Sequence, residues 1–202
     1  MKNPESVRKA IKIFKAHGGV MRTRDAIESG IHTSVLYSMK DKGIVEKLAH
    51  GLYHLVGIPM DDHPDLVQVS AKAPNAVIAL ISALAYHEIT TQIPHDVYIS
   101  IGRQSRKPKI EYPPVRVLIN SEESYSVGIE VHEYNQVKVR IFSIEKTIVD
   151  CFKYRNKIGL DVAIEALKLY KERGKVNTKK LMEYAKICRV EKVMLPYVQA
   201  IL

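Results

Sequence analysis

Between residues 6 and 55 the chain sets out three short amphipathic stretches, each closed by glycine, followed by two apolar runs around a tight turn. In the first stretch Val7, Ala10, Ile11 and Phe14 share one helical face, while Arg8, Lys9, Lys12 and Lys15 fall largely on the other. Ser6 is the expected cap, with Pro4 just outside, and Gly18-Gly19 stop the helix. After Val20, Thr23 is the expected N-cap of a short helix that turns Ala26 and Ile27 inward and ends at a left-handed Gly30. The third stretch, Thr33 to Lys42, gives Val35, Leu36 and Met39 to a core and leaves Thr33, Ser34, Tyr37, Ser38 and Asp41 outward. Gly43 ends it. Ile44–Leu48 and Leu52–Leu55 then read as two strands around Ala49-His50-Gly51, where Gly51 supplies the positive φ of a hairpin turn. Helices joined by a short glycine turn and followed by a hairpin have the order of a winged helix-turn-helix.

The outward face of the third helix is made of small hydroxyls and one tyrosine, where an ordinary surface helix carries Glu and Lys. Such a face suits close approach to a phosphate backbone and to base edges in the major groove. Thr33, Ser34, Tyr37 and Ser38 are therefore the expected base-facing residues, and Arg22, Arg24, Lys40, Lys47 and His50 the expected phosphate contacts. His54 lies near the same wing and is a further candidate.

Charge supports this. The 202 residues carry a formal net charge of +9. Residues 1–60 hold 10 Lys/Arg against 5 acids, 61–137 hold 6 against 10, and 138–202 hold 15 against 7. A basic helix-turn-helix segment is the electrostatic footprint of a DNA binder, because neutralising phosphates releases counterions. No apolar run reaches membrane-spanning length, the longest being Ala76 to Ala85, and the start Met1-Lys2-Asn3-Pro4 lacks a signal-peptide apolar region. A cytoplasmic protein is expected, with Cys151 and Cys188 as buried thiols.

Gly57 to Pro64, with two prolines and adjacent acids, reads as a linker. It divides an expected DNA-binding domain, 1–57, from a larger domain, 62–202. In the latter, Pro74 is the expected first-turn residue of an apolar central helix from Asn75 to Glu88. Val97–Ile101, Val115–Ile119, Gly128–Val131 and Val137–Ile141 are β-rich runs that predict a mixed or antiparallel sheet on that helix. A basic loop, Gly102 to Lys109, separates the first two. From Ser143 onward the pattern is helical: Ser143–Tyr154, Asp161–Glu172, Thr178–Ile187 and Glu191–Ile201 predict a small bundle. Ser143, Asp161 and either Asn177 or Thr178 are the expected caps. The fold class expected is α+β.

The chemistry of an enzyme is missing. The eight His and two Cys have no zinc-finger or His-Glu-x-x-His spacing, and Gly18-Gly19 lacks the Gly-Lys-Ser/Thr of a phosphate-cradling loop. No acid has a Lys two positions after it, as an acidic-pair-plus-lysine nuclease requires. His87-Glu88 and Asp150 sit in apolar helical contexts with no evident partner, which points to structural, hydrogen-bonded roles. No catalysis, metal or cofactor is expected.

Three blocks carry a resemblance. The first comprises Lys15-Ala-His-Gly-Gly-Val-Met-Arg-Thr, Glu28-Ser-Gly-Ile-His, Gly43-Ile-Val-Glu-Lys-Leu and Gly51-Leu-Tyr-His-Leu. The second is Ile81-Ser-Ala-Leu-Ala-Tyr-His-Glu-Ile-Thr-Thr-Gln-Ile-Pro-His, and the third runs from Glu145-Lys-Thr-Ile-Val-Asp-Cys to Ala163-Ile-Glu-Ala-Leu. Together they resemble the antitoxin of the abortive-infection E system. The resemblance implies a winged-helix N-terminal domain and a larger antitoxin domain. It also implies repression of the protein's own operon at inverted repeats of double-stranded DNA. It further implies neutralisation of a nucleotidyltransferase-like toxin in a type IV manner, for which no stable complex is required. A monomer in solution is expected. Where the family pattern has Arg before the wing glycine this chain has His50, a cation only when protonated. The other reading of the same residues is a stand-alone winged-helix regulator whose C-terminal domain senses a ligand.

Overall fold

The computed structural model describes residues 4–59, 63–134 and 137–202. The chain divides into two compact units, Met1–Pro74 with Glu133–Val139, and Asn75–His132 with Arg140–Leu202.

The first unit runs α1 (Pro4–Ala16), β1 (Val20–Arg22), α2 (Thr23–Glu28), α3 (Thr33–Asp41), β2 (Val45–Ala49), β3 (Leu52–Leu55) and α4 (Pro64–Lys72). The strands form an antiparallel sheet in the order β1-β3-β2, and Phe14, Met21, Ala26, Leu36, Met39, Val45 and Leu55 make its core with the helices. Gly30 (φ 88°) and Gly43 (φ 65°) close α2 and α3 in the left-handed conformation. Each lets the next amide turn back into the helix: Ile31 donates to the Ala26 carbonyl and Ile44 to that of Met39, both at 2.8 Å.

Several local expectations are corrected. Helix α1 opens at Pro4, whose missing N–H is no loss in a first turn, so Ser6 lies inside the helix and is not its cap. Thr23 is the first residue of α2 and does not cap it. Its amide and hydroxyl both donate to the Gly51 carbonyl, at 2.8 and 3.3 Å, fastening the start of α2 to the hairpin turn. Ile27 is 47% exposed, because a six-residue helix presents one narrow face to the core and Ala26 occupies it. Val35 is half-buried at the core's margin. Strand β1, unexpected from the sequence, adds Val20, Met21 and Arg22 opposite His54, Tyr53 and Leu52. Helix α4 packs against β2. The two compact units divide after Pro74, and of the expected linker from Gly57 to Pro64 the stretch Met60–Asp62 lies outside the described residues.

Beyond Asn75 the chain runs β4 (Val77–Ile78), α5 (Leu80–Tyr86), β5 (Val97–Gly102), β6 (Val115–Asn120), α6 (Glu122–Ser126), β7 (Ile129–Tyr134), β8 (Val137–Phe142), α7 (Ile144–Lys153), α8 (Arg155–Ile158), α9 (Leu160–Glu172), α10 (Thr178–Ile187) and α11 (Glu191–Ile201), all in the second unit except for the end of β7 and the start of β8. The sheet is mixed, in the order β6-β5-β4-β8-β7, with β4 antiparallel to β5 and parallel to β8, and β5 parallel to β6. With helices grouped after the strands, the class is α+β. Helix α7 is the hub, packing against α5, α9 and α10 over a core that includes Leu84, Phe142, Ile148, Phe152, Leu167 and Leu181.

The long helix expected from Asn75 to Glu88 is instead a two-residue strand and a seven-residue helix. Val77 and Ile78 take the strand because the ladder has partners on both sides: Ile78 faces Ile99 of β5 and Ile141 of β8. Ser143 and Asn177 cap α7 and α10 as expected, accepting from the amides of Lys146 and Lys180. Asp161 is not a cap; it lies in the first turn of α9, behind Gly159 and Leu160. Cys151 and Cys188 are buried free thiols. Among the described residues no helix is long and apolar enough to cross a membrane.

Candidate nucleic-acid interface

Helix α3 begins at a cap the sequence reading missed. His32 is extended, and its Nδ1 accepts from the Ser34 amide at 3.2 Å. An acceptor nitrogen carries no proton, so the Ser34 hydroxyl, 2.8 Å away, donates to the same atom. Tyr37 is 51% exposed, Lys40 is exposed, and Thr33, Ser34 and Ser38 are half-buried. For Ser34 and Ser38 the half-burial has a cause: with Tyr37, Asp41 and Lys42 they form one wall of a trough whose other wall is Pro4, Val7 and Arg8 of α1. Tyr53 is buried in the core of this unit, and burial raises its phenol, with a smaller push from Tyr37.

Lys47 and His50 are exposed on the hairpin. Arg22 is exposed too, and β1 places it at the same level: Arg22 and Ala49 lie opposite Leu52 from its two sides, so Arg22, His50 and the turn gather around one end of the sheet. Two of the expected phosphate contacts, Arg22 and His50, therefore share a locality that only the pairing of β1 reveals. Arg24 is different. Its Nε donates to Glu28 Oε1 at 2.7 Å on the exposed side of α2, and that bond raises its pKa, so a phosphate there competes with a carboxylate already in place.

His54 is corrected as a surface candidate. It is 6% exposed, with Nδ1 2.9 Å from Glu46 Oε1 and Nε2 3.0 Å from the Ile58 carbonyl, and so braces the two strands and the segment leaving them.

The second unit holds a polar cluster with no counterpart in the sequence reading. Asp150 has a partner after all: Lys146 Nζ donates to Asp150 Oδ2 at 2.6 Å, with both side chains fully buried. Nearby, Lys153 Nζ donates to Asn120 Oδ1 (2.8 Å) and Ser124 Oγ (3.1 Å), and Cys188 Sγ lies 3.2 Å from Ser124 Oγ. The i,i+4 spacing of Lys146 and Asp150 was the available signal. Burial pushes the thiols of Cys151 and Cys188 up, and it pushes the Tyr154 phenol up to about 12. Thiols held protonated are poor nucleophiles. His87 is structural, its Nε2 2.7 Å from the Phe142 carbonyl, while Glu88 meets Arg173 at 3.3 Å. Among the described residues no group of three or more His, Cys, Asp or Glu is placed to hold a metal ion.

The RV2827C protein from Mycobacterium tuberculosis has a crystal structure similar to this chain, with a TM-score of 0.55 at 11% sequence identity. The similarity covers 98% of this chain and 82% of that one, a likeness of fold. No curated protein matches the chain. The segment that holds α3 and the hairpin does match a family: residues 8–56 fit the family model described as a transcriptional regulator, AbiEi antitoxin, the family that the sequence resembles.

Proposed function

We propose that the protein is an antitoxin that also represses its own operon, and that its first unit is a winged helix-turn-helix bound to inverted repeats in double-stranded DNA. Helix α3 lies in the major groove with Thr33, Ser34, Tyr37 and Ser38 toward the base edges. Arg22, Arg24, Lys40, Lys47 and His50 take phosphates on either side. Residues 1–57 carry recognition, and 62–202 carry the counteraction of a nucleotidyltransferase-like toxin, without a stable complex. A monomer in solution places one copy on each half-site. The chain performs no catalysis and needs no cofactor.

The observation that carries this reading is a coincidence of place. The regulator family model matches 8–56, and that one segment holds both the exposed Tyr37 with its flanking hydroxyls on α3 and the exposed Arg22, Lys47 and His50 of β1 and the hairpin. The test is fluorescence anisotropy with the DNA upstream of the protein's own gene and a scrambled duplex of equal length, across a salt series. Tighter binding to the upstream DNA, falling steeply with salt, is expected. Equal affinity for the two duplexes overturns the proposal.

A further inference from the structure

The trough beside α3 holds three charged groups that the reading above leaves unused: Arg8 on the α1 wall, and Asp41 and Lys42 at the end of α3. All three are exposed, and among the described residues none of them is in a salt bridge. Lys9, the next residue along α1, faces a separate hollow with His32 and Val35, so Arg8 is the α1 cation turned toward the recognition stripe. The stripe itself runs at i, i+3, i+4 and i+7 through Ser34, Tyr37, Ser38 and Asp41, a single face of the helix. Asp41 stands about one turn, roughly 6 Å of rise, beyond Tyr37. Any duplex that Tyr37 touches therefore passes close to the Asp41 carboxylate.

A carboxylate beside a polyanion is repelled by every sequence alike, unless a base offers it a donor. In the major groove the donors are the amino groups of cytosine and adenine, and a carboxylate accepting from cytosine N4 is one of the standard pairings. Repulsion from all sites and relief at one is how a charge creates specificity at a cost in affinity. The cations on either side supply attraction that is blind to sequence.

Resting on the DNA-binding reading, we propose that this trough seats one DNA strand. Arg8 and Lys42 contact its phosphates, and Asp41 is a specificity-determining residue that accepts a hydrogen bond from one base amino group and penalises sites lacking it.

The test uses the full-length chain, with the upstream DNA of its own gene and a scrambled duplex, in anisotropy titrations from low to moderate salt. Arg8→Gln and Lys42→Gln each weaken binding to both duplexes by the same factor and lower the log–log salt slope by about 0.9. Asp41→Asn does the opposite on scrambled DNA: it binds several-fold tighter, while the preference for upstream DNA falls about tenfold, within the range of one base contact. Wild-type protein that prefers its upstream DNA, with slopes and preference unmoved by the three substitutions, overturns the trough proposal and leaves the DNA reading standing. Wild-type protein with no preference overturns that reading itself. If Asp41→Asn weakens both duplexes in step, Asp41 is structural and the proposal fails. It fails also if Arg8→Gln changes the sedimentation coefficient and leaves DNA binding intact, since the trough then joins two copies of the chain.

Discussion

Lys146 and Asp150 stand one turn apart on α7, both fully buried, with ammonium and carboxylate 2.6 Å apart. The Lys146 ammonium also lies 4.1 Å from the centroid of the Phe142 ring, so an aromatic face shares its charge with the carboxylate. Space for the lysine stem comes from Gly128: a Cβ there would meet the Lys146 Cβ at 2.6 Å, and the φ of 69° is one that glycine adopts freely.

Breaking this pair from one side strands a charge in the core. Lys146→Met or Asp150→Leu alone is expected to destabilise the protein by about 3–5 kcal/mol, while the double substitution costs less than either, because no buried charge is left unpaired. Urea denaturation of the three variants measures it. A double variant no more stable than the singles would contradict this account of the pair.

His87 gives the stability a pH dependence of definite sign. Burial lowers its pKa from the ordinary 6.5, outweighing the Phe142 carbonyl bond and Glu130, which favour the charged form. Above the unfolded value both states are neutral and the contribution is complete. As pH falls below it, the unfolded chain takes up a proton that the folded one resists, and stability is lost. Thermal melts from pH 7.5 to 5 should show a decline that His87→Gln flattens. The tyrosines act at the other end: Tyr154 and Tyr170, both raised to about 12 chiefly by burial, deprotonate first in the unfolded chain, so stability falls as pH rises above about 10.

On the proposed interface, Tyr37→Ala is expected to weaken binding to upstream DNA by about 1–3 kcal/mol more than binding to scrambled DNA. Lys47→Ala should weaken both alike, because a phosphate contact carries no sequence information. Competition titrations separate the two patterns. Proportional losses in both variants would mean that Tyr37 reads no base.

The legible parts of the sequence are those set by local rules. Helices α2 and α3 end where Gly30 and Gly43 allow a left-handed residue, and the α10 cap follows from Asn177 three positions before Lys180. Strands β1 and β4 were hidden because two or three apolar residues carry no period, and only a partner distant in sequence, such as Ile141 for Ile78, decides between helix and strand. Around the candidate interface the exposure of Tyr37, Lys47 and His50 was readable, whereas the capture of Arg24 by Glu28 and the burial of His54 depend on side-chain neighbours. Lysine is almost never fully buried, so Lys146 reads as surface until its partner is seen.

Helix α4 bears on how the two proposed activities separate. It packs against β2 and buries Leu66, Val67 and Val69, although it lies beyond the segment matched by the regulator family. A fragment of residues 1–74 should therefore melt higher, and bind upstream DNA more tightly, than one of residues 1–58, which exposes the surface of β2 that α4 covers. The fragment 62–202, holding the five-stranded sheet and the helices around α7, is expected to protect cells against the co-expressed toxin without repressing a promoter reporter. Circular dichroism establishes whether each fragment is folded before the cellular result is read. A folded 62–202 that gives no protection would mean that neutralisation runs through DNA binding, and the division of labour between recognition and antitoxicity would have to be abandoned.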